Sequence, residues 1–454
     1  MFESLLIATG LLVFASAYYA FAQTRDALQP AVFTAPLFIY FYSIWPLLLS
    51  REGGLPDFFT AAELAYVAGL NLLSIAALYA GMLKWPKRFA RPIRRGDVRQ
   101  RDVFALNLPR ATRKRLLSLG LILGMIALVA YWYAIFNVGG FESAYGRAKG
   151  GGWASSGYIG EAPLLAFPAI VLIALARQGL RIRAQDILLA LLIASPHLLQ
   201  GTFGGRRGPL FLILALLFLV WFIAKGVRPR FRTIVVGVTA ISVAVVLVWS
   251  QRQHLYLGSG GEFEATRVVE RIGPEEIDTG NEYLAGVATV LTADEIGNFY
   301  WGHRYFVTFF IRPIPKQLWP TKYEDVGADW LYRYGDEERE ERYQQAVGFS
   351  LLAGSSTGYI ADVYYEFAWG VVVVSYLLGR VFCALWERHR LRGGLWTILF
   401  LQLLILSIYL PTQSLTASLH RFLFMGGITY LVWRYWVRPT LRRRAAAAAY
   451  PQQP

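Results

Sequence analysis

The segment Gly201-Thr202-Phe203-Gly204-Gly205-Arg206-Arg207-Gly208-Pro209 sets an arginine pair between two apolar runs of membrane-spanning length. Arginine's planar fork can hold two phosphate oxygens at once, the glycines let backbone N–H groups approach an anion, and a helix starting near Gly208 would add its positive end. A phosphate or pyrophosphate fits this chemistry; the alternative is a basic pair reaching for lipid headgroups. A second cluster is Arg312-Pro313-Ile314-Pro315-Lys316-Gln317-Leu318-Trp319-Pro320-Thr321-Lys322, whose prolines exclude a regular helix and hold Arg312, Lys316 and Lys322 along an extended path. Trp319 can stack on a sugar ring or anchor at a membrane interface.

Asp362 and Glu366 are four residues apart at the start of an apolar run, so on a helix they share a face. Either can serve as general base for an attacking hydroxyl, or complement the helix macrodipole. His303 and His420 are alternative bases, followed directly by Arg304 and Arg421, with a structural role as the competing reading. A Walker lysine loop, HExxH, GxSxG and a DxD pair outside the membrane are all missing from the chain, so no cofactor and no metal is expected.

The elements that position these residues are apolar helices. The chain has 454 residues, 56% of them hydrophobic, with the charges gathered between long apolar stretches. It reads as an all-α integral membrane protein with about eleven transmembrane helices, near 3–23, 29–49, 59–83, 116–137, 162–177, 186–202, 208–225, 233–250, 364–386, 395–411 and 419–437. Lys and Arg mark the cytoplasmic loops: Lys84 to Arg115, Arg177 to Arg183, Lys225 to Arg232, Arg388 to Arg392, and the tail Arg434 to Arg444. All fall on one side if the N-terminus is outside and the C-terminus inside. Ala20-Phe21-Ala22 resembles a cleavage site, but Met1-Phe2-Glu3-Ser4 lacks a basic n-region, so the first span is expected to be retained. The net charge of +15 is then mainly a topology signal, with membrane lipid as partner of the basic loops and no nucleic acid expected. Cys383 is the only cysteine, which excludes a disulfide within the chain.

Along the chain this gives a bundle of about eight spans over 1–250 with the basic loop 84–115, a large outer loop over 251–359, closing spans over 360–438, and a cytoplasmic tail over 439–454. The large loop carries acidic runs at Glu275 to Asp278 and Asp336 to Glu341 that read as solvated helix faces. Phe299-Tyr300-Trp301 and Tyr305 to Ile311 are too apolar for free solvent and too short to span, which suggests an interfacial or re-entrant helix lying against the bundle. The charges beside the outer face are then Arg147, Lys149, Arg206, Arg207, His303, Arg304, Arg312, Lys316, Lys322, Asp362, Glu366, His420 and Arg421, an excess of cations suited to a phosphate-bearing ligand.

Four segments carry a family resemblance. They are Gly139-Gly140-Phe141-Glu142 running to Arg147, Gly204-Gly205-Arg206-Arg207-Gly208, Ile314 to Lys322 with Lys316 where arginine is usual, and Ser356 to Gly370 with Asp362 where glutamate is commoner. Together they resemble the Wzy-type polymerases of O-antigen and exopolysaccharide repeat units. The resemblance implies a GT-C-like polymerase architecture and a metal-independent glycosyltransferase with its active site on the periplasmic face of a bacterial inner membrane. Its substrates would be undecaprenyl-pyrophosphate-linked oligosaccharides, with a chain-length regulator and a flippase as partners. Arg206 and Arg207, helped by Arg147, Arg312, Lys316, Lys322 and Arg421, would bind pyrophosphate or glycan, Trp319 would stack on sugar, and Asp362 or His303 would take the acceptor's proton.

Three other readings stay open. An O-antigen ligase would share the arginine-rich outer face and differ in acceptor. A transporter or flippase of an anionic lipid-linked sugar would call for broken or charged helices at mid-membrane and for internal repeats. A scaffold would leave glycan length indifferent to the outer arginines.

Overall fold

The computed structural model describes residues 1–52, 54–83, 110–146, 160–204, 206–250, 281–297, 299–314, 318–328, 337–352 and 355–439. Among these residues every regular element is a helix. Among the described residues seven helices are long and apolar enough to cross a membrane: Phe2–Thr24, Pro30–Arg51, Ala61–Leu83, Arg110–Asn137, Gly160–Arg177, Gly208–Lys225 and Gly358–Arg392. The other segments expected to span are helical as well, at Ala184–Thr202, Phe231–Ser250, Leu395–Leu406 and Leu415–Val432, but fall short in length or apolarity. Large apolar side chains face outward along these helices, such as Leu11, Phe14, Met125, Val129 and Phe136. Such faces are stable against lipid and not against water, and the chain is membrane-embedded.

The chain divides into two compact units that interleave along the sequence. The first comprises Met1–Pro92, Ile272–Ala384 and Leu406–His420. Here Phe2–Thr24 packs on Ala61–Leu83 and on Pro30–Ile39. Pro30 starts its helix because Gln29 caps it, the amide oxygen accepting from Val32 N at 3.2 Å. Pro46 has no N–H for the turn before it, and the chain passes Tyr40–Ile44 as a π turn into Trp45–Arg51. Gly81 and Gly379 let Ala61–Leu83 and Val371–Arg392 touch backbone to backbone: a Cβ on Gly81 would strike the carbonyl of Tyr376, and one on Gly379 that of Leu78. Glu282–Ile296, inside the segment expected as a large outer loop, is a packed helix. Asn281 caps its start, accepting from Tyr283 N at 2.9 Å and Leu284 N at 3.3 Å, and Gly297 ends it with φ +62. It buries Leu284, Ala285, Val287 and Ala288 and packs against Gly358–Phe367, Glu337–Val347 and Ala61–Leu83.

The second unit comprises Ile93–Arg271, Leu385–Ile405 and Arg421–Pro454. Its centre is Ala166–Arg177, buried from Ala166 through Ala176. Arg110–Asn137 lies on it, with Gly120 close over Ile173 and the carbonyl of Ala169. Ala184–Thr202 and Arg207–Lys225 form a hairpin in which Gly201 fits against Leu210. Arg207–Lys225 stops at Gly226, a left-handed cap at φ +67.

Candidate functional site

In the first unit Asp362 and Glu366 lie one turn apart on Gly358–Phe367, as their spacing predicts. Both are buried, at 2% and 0% exposure, and Arg304 bridges them. Its Nη2 donates to Asp362 Oδ1 at 2.7 Å, and its Nε lies 3.3 Å from Glu366 Oε1 as an ion pair without hydrogen-bond geometry. Asp362 Oδ2 accepts from the Tyr305 hydroxyl at 3.0 Å, from the Thr416 hydroxyl at 3.1 Å and from Thr416 N at 3.3 Å. Burial works against the charge on Arg304, but the carboxylates of Asp362 and Glu366 outweigh it and raise its pKa. Burial first, then the Asp362 carboxylate, push the Tyr305 phenol up, so it remains a donor. Both oxygens of Asp362 are thus engaged, which makes it the anchor of Arg304.

The backbone of Tyr300 to Gly302 closes the same site. Tyr300 N and Trp301 N donate to the carbonyls of Tyr365 and Glu366 at 3.3 and 2.8 Å, satisfying the end of the helix that carries the acids. Gly302 N donates to Glu366 Oε2 at 2.8 Å, a contact made at φ +87. The rings of Tyr300 and Tyr365 flank the guanidinium, 5.8 and 5.5 Å away.

His303–Phe306 and the π turn Val307–Ile311 follow, a short helical segment that buries Val307, Thr308 and Ile311 and leaves Phe306 and Phe310 exposed. His303 Nε2 lies 3.1 Å from the carbonyl of Val326. A carbonyl only accepts, so Nε2 is the donor, and in the neutral tautomer that this contact selects Nδ1 carries the lone pair. Lys322 is 2% exposed, and its ammonium donates to the carbonyls of Ile311 at 3.1 Å, Arg312 at 3.0 Å and Ile314. Expected on substrate, its three donors are instead directed at the end of the π turn. Trp319 packs beside Val307, Ile311 and Ala328, and its indole donates to Asp325 at 2.5 Å. That bond, then the Thr321 hydroxyl, hold the exposed Asp325 below the ordinary carboxylate range. Arg312 is exposed; Lys316 lies outside the described residues.

In the second unit Arg206 is the extended residue that begins Arg207–Lys225, with no side-chain cap at that helix start. Its N–H donates to the carbonyl of Gln200 at 3.3 Å. Gly204 passes close to the ring of Tyr145, whose hydroxyl meets that of Tyr131 at 2.7 Å. Burial and Tyr131 push the Tyr145 phenol up, while the charge of Arg206 works the other way, so the guanidinium lies within reach of that ring. Arg421, half-buried on Leu415–Val432, lies within electrostatic reach of His197. Arg147 and the side chain of Arg207 lie outside the described residues. Asp362 and His303 therefore share one unit with Arg312, Lys322 and Trp319, and Arg206 and Arg421 belong to the other.

No family model matches the chain, and no curated protein or solved structure matches it. The geometry stands by itself. Arg304, Tyr305 and Thr416 are the site residues that sequence reasoning leaves out or counts only as charge. The available signal was stoichiometric: two acids on one buried face require a cation, and Arg304 sits in an apolar, aromatic run.

Proposed function

We propose that the chain is a membrane glycosyltransferase that polymerises undecaprenyl-pyrophosphate-linked oligosaccharide repeat units into O-antigen, capsule or exopolysaccharide. It would work on the periplasmic face of a bacterial inner membrane, with about eleven spans, N-terminus out and C-terminus in. The observation that carries this reading is Arg206 as the extended residue that begins a 19-residue apolar helix with no side-chain cap, so that a cation and a helix N-terminus adjoin along the chain. A site of that kind favours a pyrophosphate most when the sugar–phosphate bond has broken and its charge is largest, which is a gain specific to the transition state.

In the reaction, a hydroxyl of the acceptor repeat unit attacks the anomeric carbon of the donor glycan. The bond from that carbon to the pyrophosphate oxygen breaks, undecaprenyl pyrophosphate leaves with the electron pair, and the hydroxyl proton goes to a base. His303 is assigned as that base, because its neutral tautomer would offer Nδ1 to the proton while both oxygens of Asp362 are held by Arg304, Tyr305 and Thr416. Arg304 with Asp362 and Glu366 fixes the segment that carries His303.

The test is reconstitution of the full chain in proteoliposomes with lipid-linked repeat units extracted from cells that cannot polymerise them. Products of two or more repeats, with release of undecaprenyl pyrophosphate, are expected. Arg206→Ala/Arg207→Ala should slow their formation by about a hundredfold or more. Repeat units that cross the bilayer without lengthening would sink the proposal in favour of a transporter.

A further inference from the structure

Of the three non-glycine residues with positive φ among the described residues, two lie on the segments that form the acid cluster: Trp301 at φ +50 and Ala368 at φ +48. Such angles are costly for residues with a Cβ and persist where the surroundings impose them. Each strained segment presents an indole, Trp301 itself and Trp369 next to Ala368, and these stay 71% and 47% exposed. They belong to a connected set of rings. Trp301 meets Phe299 at 6.3 Å, Phe299 meets Tyr364 at 5.8 Å, Tyr364 meets Trp369 at 6.4 Å, and Trp369 meets Tyr66 at 6.0 Å. The set carries polar groups: the Tyr66 and Tyr364 hydroxyls are 2.8 Å apart, and Tyr364 donates to the exposed Asp294 carboxylate at 2.5 Å.

We propose that the two exposed indoles of this set, with the buried Tyr364 between them and Asp294 at the edge, form a shelf that binds a neutral oligosaccharide. A pyranose offers an apolar C–H face to an indole and a rim of hydroxyls that donate to a carboxylate, and both needs are met within one patch. An acyl chain would have no use for Asp294. An anionic headgroup would be repelled by Asp294 and by the exposed Glu295 beside it. The inference takes its ligand class from the glycosyltransferase reading and adds to it a place where the glycan is held away from any phosphate, with Tyr364 lying between the two acids of the cluster on the same helix.

The experiment uses the full-length chain in nanodiscs on an array of neutral hexopyranose and N-acetylhexosamine oligosaccharides that carry neither lipid nor phosphate. Wild type is expected to bind at least one of them. Trp301→Ala and Trp369→Ala should each weaken that binding about tenfold or more, with Asp294→Asn also weaker. Because these ligands carry no phosphate, their binding reads the shelf, whereas polymerisation by Arg206→Ala/Arg207→Ala reads the pyrophosphate site, so failure of the pyrophosphate reading and failure of this shelf give different results. If Trp301→Ala is not recovered folded, Trp369→Ala decides. No binding by wild type, or wild-type binding by the tryptophan variants, would overturn the proposal. So would variants that lose only their preference for anionic lipid, since that marks a membrane anchor.

Discussion

Arg304 is one cation serving two buried carboxylates, and its removal would leave both without their partner. Arg304→Ala is expected to destabilise the protein by about 3–5 kcal/mol, read as a lowered Tm in detergent, with Arg304→Lys between it and wild type because a point charge cannot reach both acids as a fork does. An unchanged Tm would mean that the cluster is not held by this pair of contacts. Lys322→Met should cost about 1–3 kcal/mol and speed proteolysis between residues 311 and 328, since three carbonyls lose their donor. At Asp325 the folded-state pKa is lowered by the Trp319 indole and the Thr321 hydroxyl. Its contribution is therefore complete above the ordinary carboxylate pKa and is lost as pH falls through the lower, folded value. An acid-induced change in Trp319 emission that Asp325→Asn abolishes is expected; an acid change that persists in that variant would assign it elsewhere. The i, i+4 spacing of Asp362 and Glu366 could be read directly, but their partner lies 58 residues from Asp362. Periodicity carries no information over that distance.

Packing between helices depends on where glycine removes a side chain. Gly81→Leu or Gly379→Leu puts a side chain against backbone that cannot rotate away, so a loss of about 1–3 kcal/mol or more is expected, whereas Gly69→Leu, with open space around its Cα, should leave Tm unchanged. Equal Tm values for all three would deny the close crossing. Most long helices were legible because apolar runs of this length have few alternatives. Glu282–Ile296 was not. It is built largely of Ala, Val, Thr and Gly, too short and too weakly apolar to register as a span, and its burial comes from Gly358–Phe367 and Glu337–Val347. Likewise the aromatic set between Tyr66 and Trp369 joins residues far apart in sequence, so only the tertiary structure shows it.

At the scale of the molecule, the sequence divides linearly into bundle, loop and closing spans, while the fold gathers Met1–Pro92, Ile272–Ala384 and Leu406–His420 into one unit and the remainder into another. Chain order does not reveal such interleaving, because it is decided by contacts between distant helices. The topology that the basic loops imply is open to test, since Cys383 is the only cysteine. In a Cys383→Ser background, single cysteines in 84–109 should react only with reagents that cross the membrane, and those in 251–280 also with reagents that do not. The reverse pattern would put Arg206 on the cytoplasmic side and remove the basis of the proposed reaction. The most direct measurement is the length distribution of surface polysaccharide in a deletion strain, complemented with wild type or with Arg206→Ala/Arg207→Ala at matched membrane expression. Single repeat units in the deletion strain, a full ladder with wild type and none with the double variant are the expected result. A full ladder with the double variant would contradict the pyrophosphate assignment, and a deletion that leaves glycan length unchanged would contradict polymerisation itself.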